Sequence, residues 1–280
     1  MWHGPLQFPA LPVIPVDFSL FIAKHPMPGT LSTRQYDIII SDIDGCLSPE
    51  SSTPFDVANL AKIAEYNVLA LERGDRPMLT VCSGRPQPFA EAMCRLLQNT
   101  MLPCVCENGA WLYHPGTNVY TLDPAINKAH LQAVHDLSAW CFDTFGPSGV
   151  TQQPGKTASV TLFHPDTAYL KTLVAKVEAQ CTLAGWPFRV SMTWFYINCD
   201  LAFVNKGTGL ARLAQSIRYD KARTVGIGDT VADKYIADFS GFFACPANAQ
   251  AGIKEHAHFI AASPESAGVV EILHRVSSER

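Results

Sequence analysis

The apolar run Tyr36-Asp37-Ile38-Ile39-Ile40 passes directly into Asp42-Ile43-Asp44-Gly45-Cys46, and this junction constrains the fold more than any other stretch. A short β-branched run reads as a buried strand of an open sheet. Carboxylates at its carboxyl end stand where strands of open α/β sheets deliver ligand-binding residues. Two Asp side chains so close repel each other unless a cation or a proton compensates them. A divalent metal together with a phosphorylated ligand would meet that requirement. Alone, D-x-D-G is a weak pattern, because any acidic turn matches it.

Three later segments, in order, add weight. Leu79-Thr80-Val81-Cys82-Ser83-Gly84-Arg85-Pro86 is a second apolar strand ending in a hydroxyl, a glycine and an arginine. Lys206-Gly207-Thr208-Gly209-Leu210 is a lysine opening an amphipathic helix. Thr224-Val225-Gly226-Ile227-Gly228-Asp229-Thr230-Val231-Ala232-Asp233 is a strand ending in two carboxylates four residues apart.

Helix and strand signals alternate after residue 36, which predicts a parallel sheet covered on both faces. Strands are expected at 36–41, 78–82, 103–106, 223–227 and 241–245. Helices are expected at 54–71, from 86, and at 206–217, 230–238 and 264–275. Pro54 suits a first helical position, with Thr53 as its cap. From about 113 to 199 the character shifts to two helices (127–145 and 166–183) among strand-like runs at 157–163, 187–192 and 194–198. That pattern describes a small independent α/β lobe. The expected organisation is an arm over 1–35, a core over 36–112 and 200–280, and an inserted lobe over 113–199.

Of the 280 residues 48% are hydrophobic, ample for a core, and the net charge of −4 gives no electrostatic footprint for nucleic acid. Nine cysteines, scattered and mostly inside apolar strands, read as buried free thiols and a reducing, cytoplasmic setting. Neither Cys104-x-Cys106 nor His256-x-His258 has a zinc-like second half. In the first 35 residues prolines interrupt the apolar positions, which argues against a signal peptide or a membrane helix. Two readings of this arm stand: extended packing along the core, or contact with a second copy in a homodimer.

The four motifs, over roughly residues 36–275, resemble haloacid dehalogenase superfamily phosphohydrolases. The similarity is to the Cof-like, sugar-phosphatase-like branch, which carries a large cap after the third core strand. The resemblance implies a Rossmann-like parallel-sheet core with an inserted α+β cap domain, and a Mg²⁺-dependent phosphatase acting on a small phosphorylated metabolite. Sugar phosphates and phosphorylated hydroxyacids are the expected substrates, since a cap would exclude macromolecules.

Under this resemblance Asp42 is the nucleophile that takes up the phosphoryl group, and Asp44 the general acid and base. Asp44 would need a raised pKa, which partial burial would supply. Ser83 and the Gly84 N–H would bind a phosphoryl oxygen, while Arg85 would either grip the phosphate or form a salt bridge. Lys206 would stabilise the reacting phosphorus and Asp42 together. Mg²⁺ would be held by Asp42, the Asp44 carbonyl, Asp229 and Asp233, although Asp233 could equally orient Lys206. Cys46 and Ala232 depart from the family pattern without removing either acid. Asn108 is a candidate phosphate-site or turn residue. In the lobe, Lys156, Trp194 and Tyr196 are weaker candidates for substrate contact. Two alternatives remain open: a phosphotransferase or phosphomutase on the same core, and a non-catalytic binding protein that docks through the arm.

Overall fold

The computed structural model describes residues 34–50, 52–193 and 195–278. The expected arm lies outside the described residues, apart from Arg34 and Gln35. The central sheet is parallel, in the order β12-β11-β10-β1-β2. Its strands are β1 (Ile38–Ser41), β2 (Met78–Val81), β10 (Thr224–Ile227), β11 (Phe242–Cys245) and β12 (Phe259–Ile260). Strand β1 lies between β10 and β2, with Ile39 level with Val225 on one side and Leu79 on the other. β-Branched side chains and burial on both faces account for a strand read from so short a run.

Alternation along β1 assigns its two faces. Ile39 packs with helices α1 (Val57–Arg73), α2 (Gln87–Leu96) and α8 (Glu265–Ser278) through Ile63, Met93 and Ile272. Ile38 and Ile40 face the other layer, with Leu210 of α5 (Lys206–Ser216), Ile236 of α6 (Lys234–Asp238) and Ile253 of α7 (Ala251–Lys254). All nine cysteines are free and buried, as expected.

The first helix starts later than expected. Asp56, not Thr53, caps it, accepting a hydrogen bond from the Asn59 N–H at 3.0 Å. A carboxylate three residues ahead of a free amide outcompetes the Thr-Pro signal upstream. Strand β3 (Cys104–Cys106) meets the end of β2 through a single bridge, Cys82 to Val105, and pairs antiparallel with β4 (Trp111–His114), which pairs with β5 (Val119–Leu122). The expected boundary at 112/113 therefore falls inside β4. This hairpin goes with the core, because β3 satisfies its edge.

The lobe's own elements begin at α3 (Lys128–Phe145). They form an antiparallel sheet in the order β6-β7-β9-β8, from β6 (Thr151–Gln152), β7 (Ser159–Phe163), β8 (Phe188–Met192) and β9 (Tyr196–Leu201). Helices α3 and α4 (Thr167–Ala184) cover one face, where Leu137, Leu170, Val160, Leu162, Ile197 and Cys199 form a separate core. The period of two leaves Thr161, Asn198, Asp200, Arg189 and Ser191 on the opposite face. Among the described residues no helix is long and apolar enough to cross a membrane.

Candidate active site

Asp42 emerges from the central strand with its N–H bonded to the Ile227 carbonyl at 3.0 Å, which ties β1 to β10 where both deliver carboxylates. The Lys206 ammonium stands 2.8 Å from Asp42 Oδ2 and 2.6 Å from Asp233 Oδ1. Asn205 caps the helix that Lys206 opens, and its reciprocal bonds with Thr208 fix the first turn. This locks the root of a flexible side chain whose tip is buried. Burial alone would lower the Lys206 pKa, but Asp233 and Asp42 raise it well above the ordinary lysine value. The two carboxyl groups thus favour the charged form of the amine.

Asp229 is 5% exposed, and Gly45 is what lets it come so near β1. Gly45 has φ of +72°, and a Cβ there would lie 2.0 Å from Asp229 Oδ2. Only glycine accepts both the dihedral and the approach. Burial, with Asp233 and Asp42 nearby, pushes the Asp229 pKa up to about 9. Burial likewise raises Asp42 to about 8, against the pull of Lys206. Cys46, the departure from the family pattern, places its buried thiol 3.9 Å from Asp229 Oδ1.

Oxygen atoms of Asp42, Asp229 and Asp233 all lie within 4.8 Å of one another. Three buried carboxyl groups share one ammonium, so full ionisation of the cluster would leave excess negative charge, which the raised values of Asp42 and Asp229 express. An all-oxygen donor set with uncompensated charge fits a hard divalent cation. Asp233 differs from the other two in its bonding. Its Oδ2 accepts from the N–H groups of Asp229 and Thr230 and from the Thr230 hydroxyl, and its Oδ1 takes Lys206. Both oxygens are already engaged, which suits an orienting role toward Lys206 better than direct ligation.

Across the cavity Arg85 takes the salt bridge, one of its two expected roles, by pairing with Asp44: its Nε lies 2.8 Å from Oδ2 and 3.0 Å from Oδ1. The guanidinium also stacks on Phe89, 4.8 Å from the ring centre. Asp44 is a partly buried carboxylate held by the Arg85 guanidinium. Ser83 is fully buried and accepts the Arg85 N–H at 3.2 Å. Asn108 adopts the left-handed conformation expected of a turn residue (φ 52°) and donates to the Asp200 carboxylate. Gly84 lies against it, a Cβ there falling 3.0 Å from Asn108 Oδ1.

A cavity of about 340 Å³ opens between these core residues and the polar strand face of the lobe, with Asp229 and Asp233 behind its wall. Asp42, Asp44, Ser83, Gly84, Arg85, Asn108 and Lys206 are all in its wall, as are Lys156 and Tyr196. The Trp194 side chain lies outside the described residues. Glu50, Arg189, Ser191, Asn198 and Asp200 also line the cavity, and none of them is among the residues expected from sequence. Strict alternation of Tyr196, Asn198 and Asp200 with Ile197, Cys199 and Leu201 is the available signal for the last two. Glu107 likewise has a role that its sequence context does not announce. It is 1% exposed and accepts the N–H groups of Thr157 and Ala158, which joins the end of β3 to the start of β7.

The family model of haloacid dehalogenase-like hydrolases matches residues 146–273. A haloacid dehalogenase-like hydrolase of Bacteroides thetaiotaomicron has the same fold, with a TM-score of 0.64 at 16% identity over 86% of this chain and 99% of that one. The chain is thus similar to haloacid dehalogenase-like hydrolases, by sequence over residues 146–273 and by fold over most of its length. Among curated relatives, the phosphoglycolate phosphatase of Methanospirillum hungatei is 24% identical, over 84% of this chain and 94% of its own. That of Haloarcula marismortui is 23% identical over 83% and 94%. The fold is also that of the sucrose-phosphatase of Synechocystis solved with sucrose and phosphate, at a TM-score of 0.58, 19% identity and coverage of 87% and 98%.

Proposed function

We propose that the protein is a Mg²⁺-dependent phosphomonoesterase of small phosphorylated metabolites, working through an aspartyl-phosphate at Asp42. The observation that carries this reading is the meeting of Asp42, Lys206 and Asp229, from three segments distant in sequence, with Asp42, Lys206 and Asp44 lining one cavity and Asp229 buried behind Asp42. The relatives named as phosphoglycolate phosphatases support it.

In the first half-reaction an Asp42 oxygen attacks phosphorus as the bond to the leaving oxygen breaks, and Asp44 supplies that oxygen's proton. In the second, water attacks the same phosphorus, gives a proton to Asp44, and releases phosphate and the Asp42 carboxylate. Ser83 and the Gly84 N–H bind a phosphoryl oxygen, and Lys206 offsets charge on Asp42 and on the transferring group. Asp42 and Asp229 would hold Mg²⁺, with Asp233 behind them. The cation supplies charge neutralisation that keeps Asp42 ionised and lowers repulsion by the phosphate. For Asp44 to act as an acid, Arg85 must leave it, and a bound phosphate is the competing partner for that guanidinium. The lobe acts as a cap that closes the site to bulk water.

A hydrolysis screen over phosphorylated metabolites, with and without Mg²⁺, tests this reading with Asp42→Asn as control. Turnover should fall by several orders of magnitude in the folded variant. Comparable rates in Asp42→Asn, or full activity in excess chelator, would defeat it.

A further inference from the structure

Four cationic side chains line the cavity: Arg85, Lys156, Arg189 and Lys206. Three of them have a carboxylate within salt-bridge distance. Arg85 holds Asp44, Lys206 holds Asp42 and Asp233, and Arg189 lies 3.6 Å from Asp200. Lys156 has none among the described residues. Its one described hydrogen bond is to the Thr161 hydroxyl at 2.5 Å, and Thr161 in turn donates to Asn198 at 2.9 Å. A neutral hydroxyl does not replace the solvent that a partly buried ammonium has lost.

The nearby carboxylates are already engaged. Glu107 accepts the Thr157 and Ala158 N–H groups, and Asp200 is held by Asn108 and Arg189. These two support the charge on Lys156 at a distance, while burial pulls its pKa down. The Lys156 side chain therefore lines the cavity from the lobe without a carboxylate partner, while Asp42 and Lys206 line it from the core. An anion entering there would form a charge-assisted hydrogen bond without displacing an existing ion pair.

We infer that Lys156, with Thr161 and Asn198 beside it, forms a subsite for a carboxylate at the end of the substrate remote from the phosphate. The inference rests on the phosphatase reading above and narrows it from phosphorylated metabolites in general to phosphorylated hydroxyacids. A carboxylate is favoured over a second phosphate because the subsite offers one ammonium and two neutral side chains. A second phosphate, with nearly two charges, would call for an additional cation, and Arg189 is already tied to Asp200 and to the Val204 carbonyl at 3.1 Å. Neutral sugar phosphates would leave the ammonium unpaired in the closed site.

The test compares substrates matched in size: 2-phosphoglycolate with 2-hydroxyethyl phosphate, and 3-phosphoglycerate with glycerol 1-phosphate, with fructose 1,6-bisphosphate as the second-phosphate arm. The wild-type protein should favour each carboxylate over its neutral partner roughly thirtyfold in kcat/KM, the scale of a hydrogen bond to a charged group. Lys156→Met should bring that ratio to within about threefold, and Lys156→Arg should restore part of it. In parallel, calorimetry compares phosphonoacetate with ethylphosphonate binding to both proteins, and needs no turnover. Loss of the phosphonoacetate preference in Lys156→Met supports the subsite even if no phosphate ester is hydrolysed, an outcome that would sink only the phosphatase reading. The subsite is overturned if Lys156→Met lowers both members of each pair equally, if the wild type shows no carboxylate preference, or if the bisphosphate is preferred to both carboxylates.

Discussion

Arg85 and Asp44 form a forked ion pair, with Nε 2.8 Å and 3.0 Å from the two carboxylate oxygens, inside the cavity where Asp44 would exchange a proton with substrate. Replacing the guanidinium with a methyl removes both this grip and the positive charge awaiting phosphate. Arg85→Ala should lower kcat/KM about 10- to 100-fold, mainly through KM, and Arg85→Lys should recover little because an ammonium cannot make the fork. Steady-state kinetics over a substrate series decides it. An unchanged KM in Arg85→Ala would show that the arginine only braces Asp44.

Lys206 bridges two buried carboxyl groups at once. Lys206→Met would leave Asp42 and Asp233 facing each other without a cation. The expected cost is about 3–5 kcal/mol of stability in the absence of divalent metal, with turnover lost. Urea unfolding measures it. A cost below roughly 1 kcal/mol would indicate that the two acids share a proton instead of needing the ammonium.

Asp229 is the acid with the least compensation, its side chain meeting only the Cys46 thiol among the described residues. Asp229→Asn should therefore stabilise the metal-free fold by about 1–3 kcal/mol at pH 8, where the wild-type carboxyl must be either strained by its charge or protonated. The same variant should lose most of the rise in melting temperature that excess Mg²⁺ gives the wild type, an effect of ~2.7 kcal/mol at a hundredfold excess over Kd. Thermal melts with and without Mg²⁺ test both halves. An equal Mg²⁺ response in both proteins would remove Asp229 from the metal site.

Asp37 carries the pH dependence of the other end of β1. Burial would raise its pKa, but hydrogen bonds from Arg223 and Arg34 outweigh it and hold the carboxyl below the usual range. A depressed folded value means that the stabilisation is present above the unfolded pKa near 4 and is lost as pH falls through the folded value. Asp37→Asn should cost about 1 kcal/mol at pH 7, modest because the pair is partly solvated, and the gap should close as pH falls through the depressed folded value. Chemical denaturation at several pH values reads this. A gap that stays constant down to pH 2 would mean the loss is one of packing.

Much of the core was readable because its chemistry sits where apolar runs stop. Asp42, Ser83, Lys206 and Asp229 each follow a strand or open a helix, so one dimension of sequence places them near one edge of a sheet. The lobe resisted for the opposite reason. Arg189 faces Asp200 and Thr161 faces Asn198 through antiparallel register, and no local pattern announces such pairings across distant positions. The hairpin at 111–122 was hidden by its neighbourhood. Its strands belong with β3 by pairing, while their partly polar composition resembles that of the lobe strands. Helix α1 shows a third cause, in which two acceptable caps lay three residues apart and hydrogen bonding chose the later one.

Glu107 grips the backbone of Thr157 and Ala158, one residue past the lysine that roofs the cavity. Grafting a foreign lobe onto this scaffold would thus have to import a matching pair of free amides, or replace the glutamate as well. Chimeras joined without that match would carry an orphaned carboxylate at the seam, and their new pocket would hang in the wrong register over the old reaction centre.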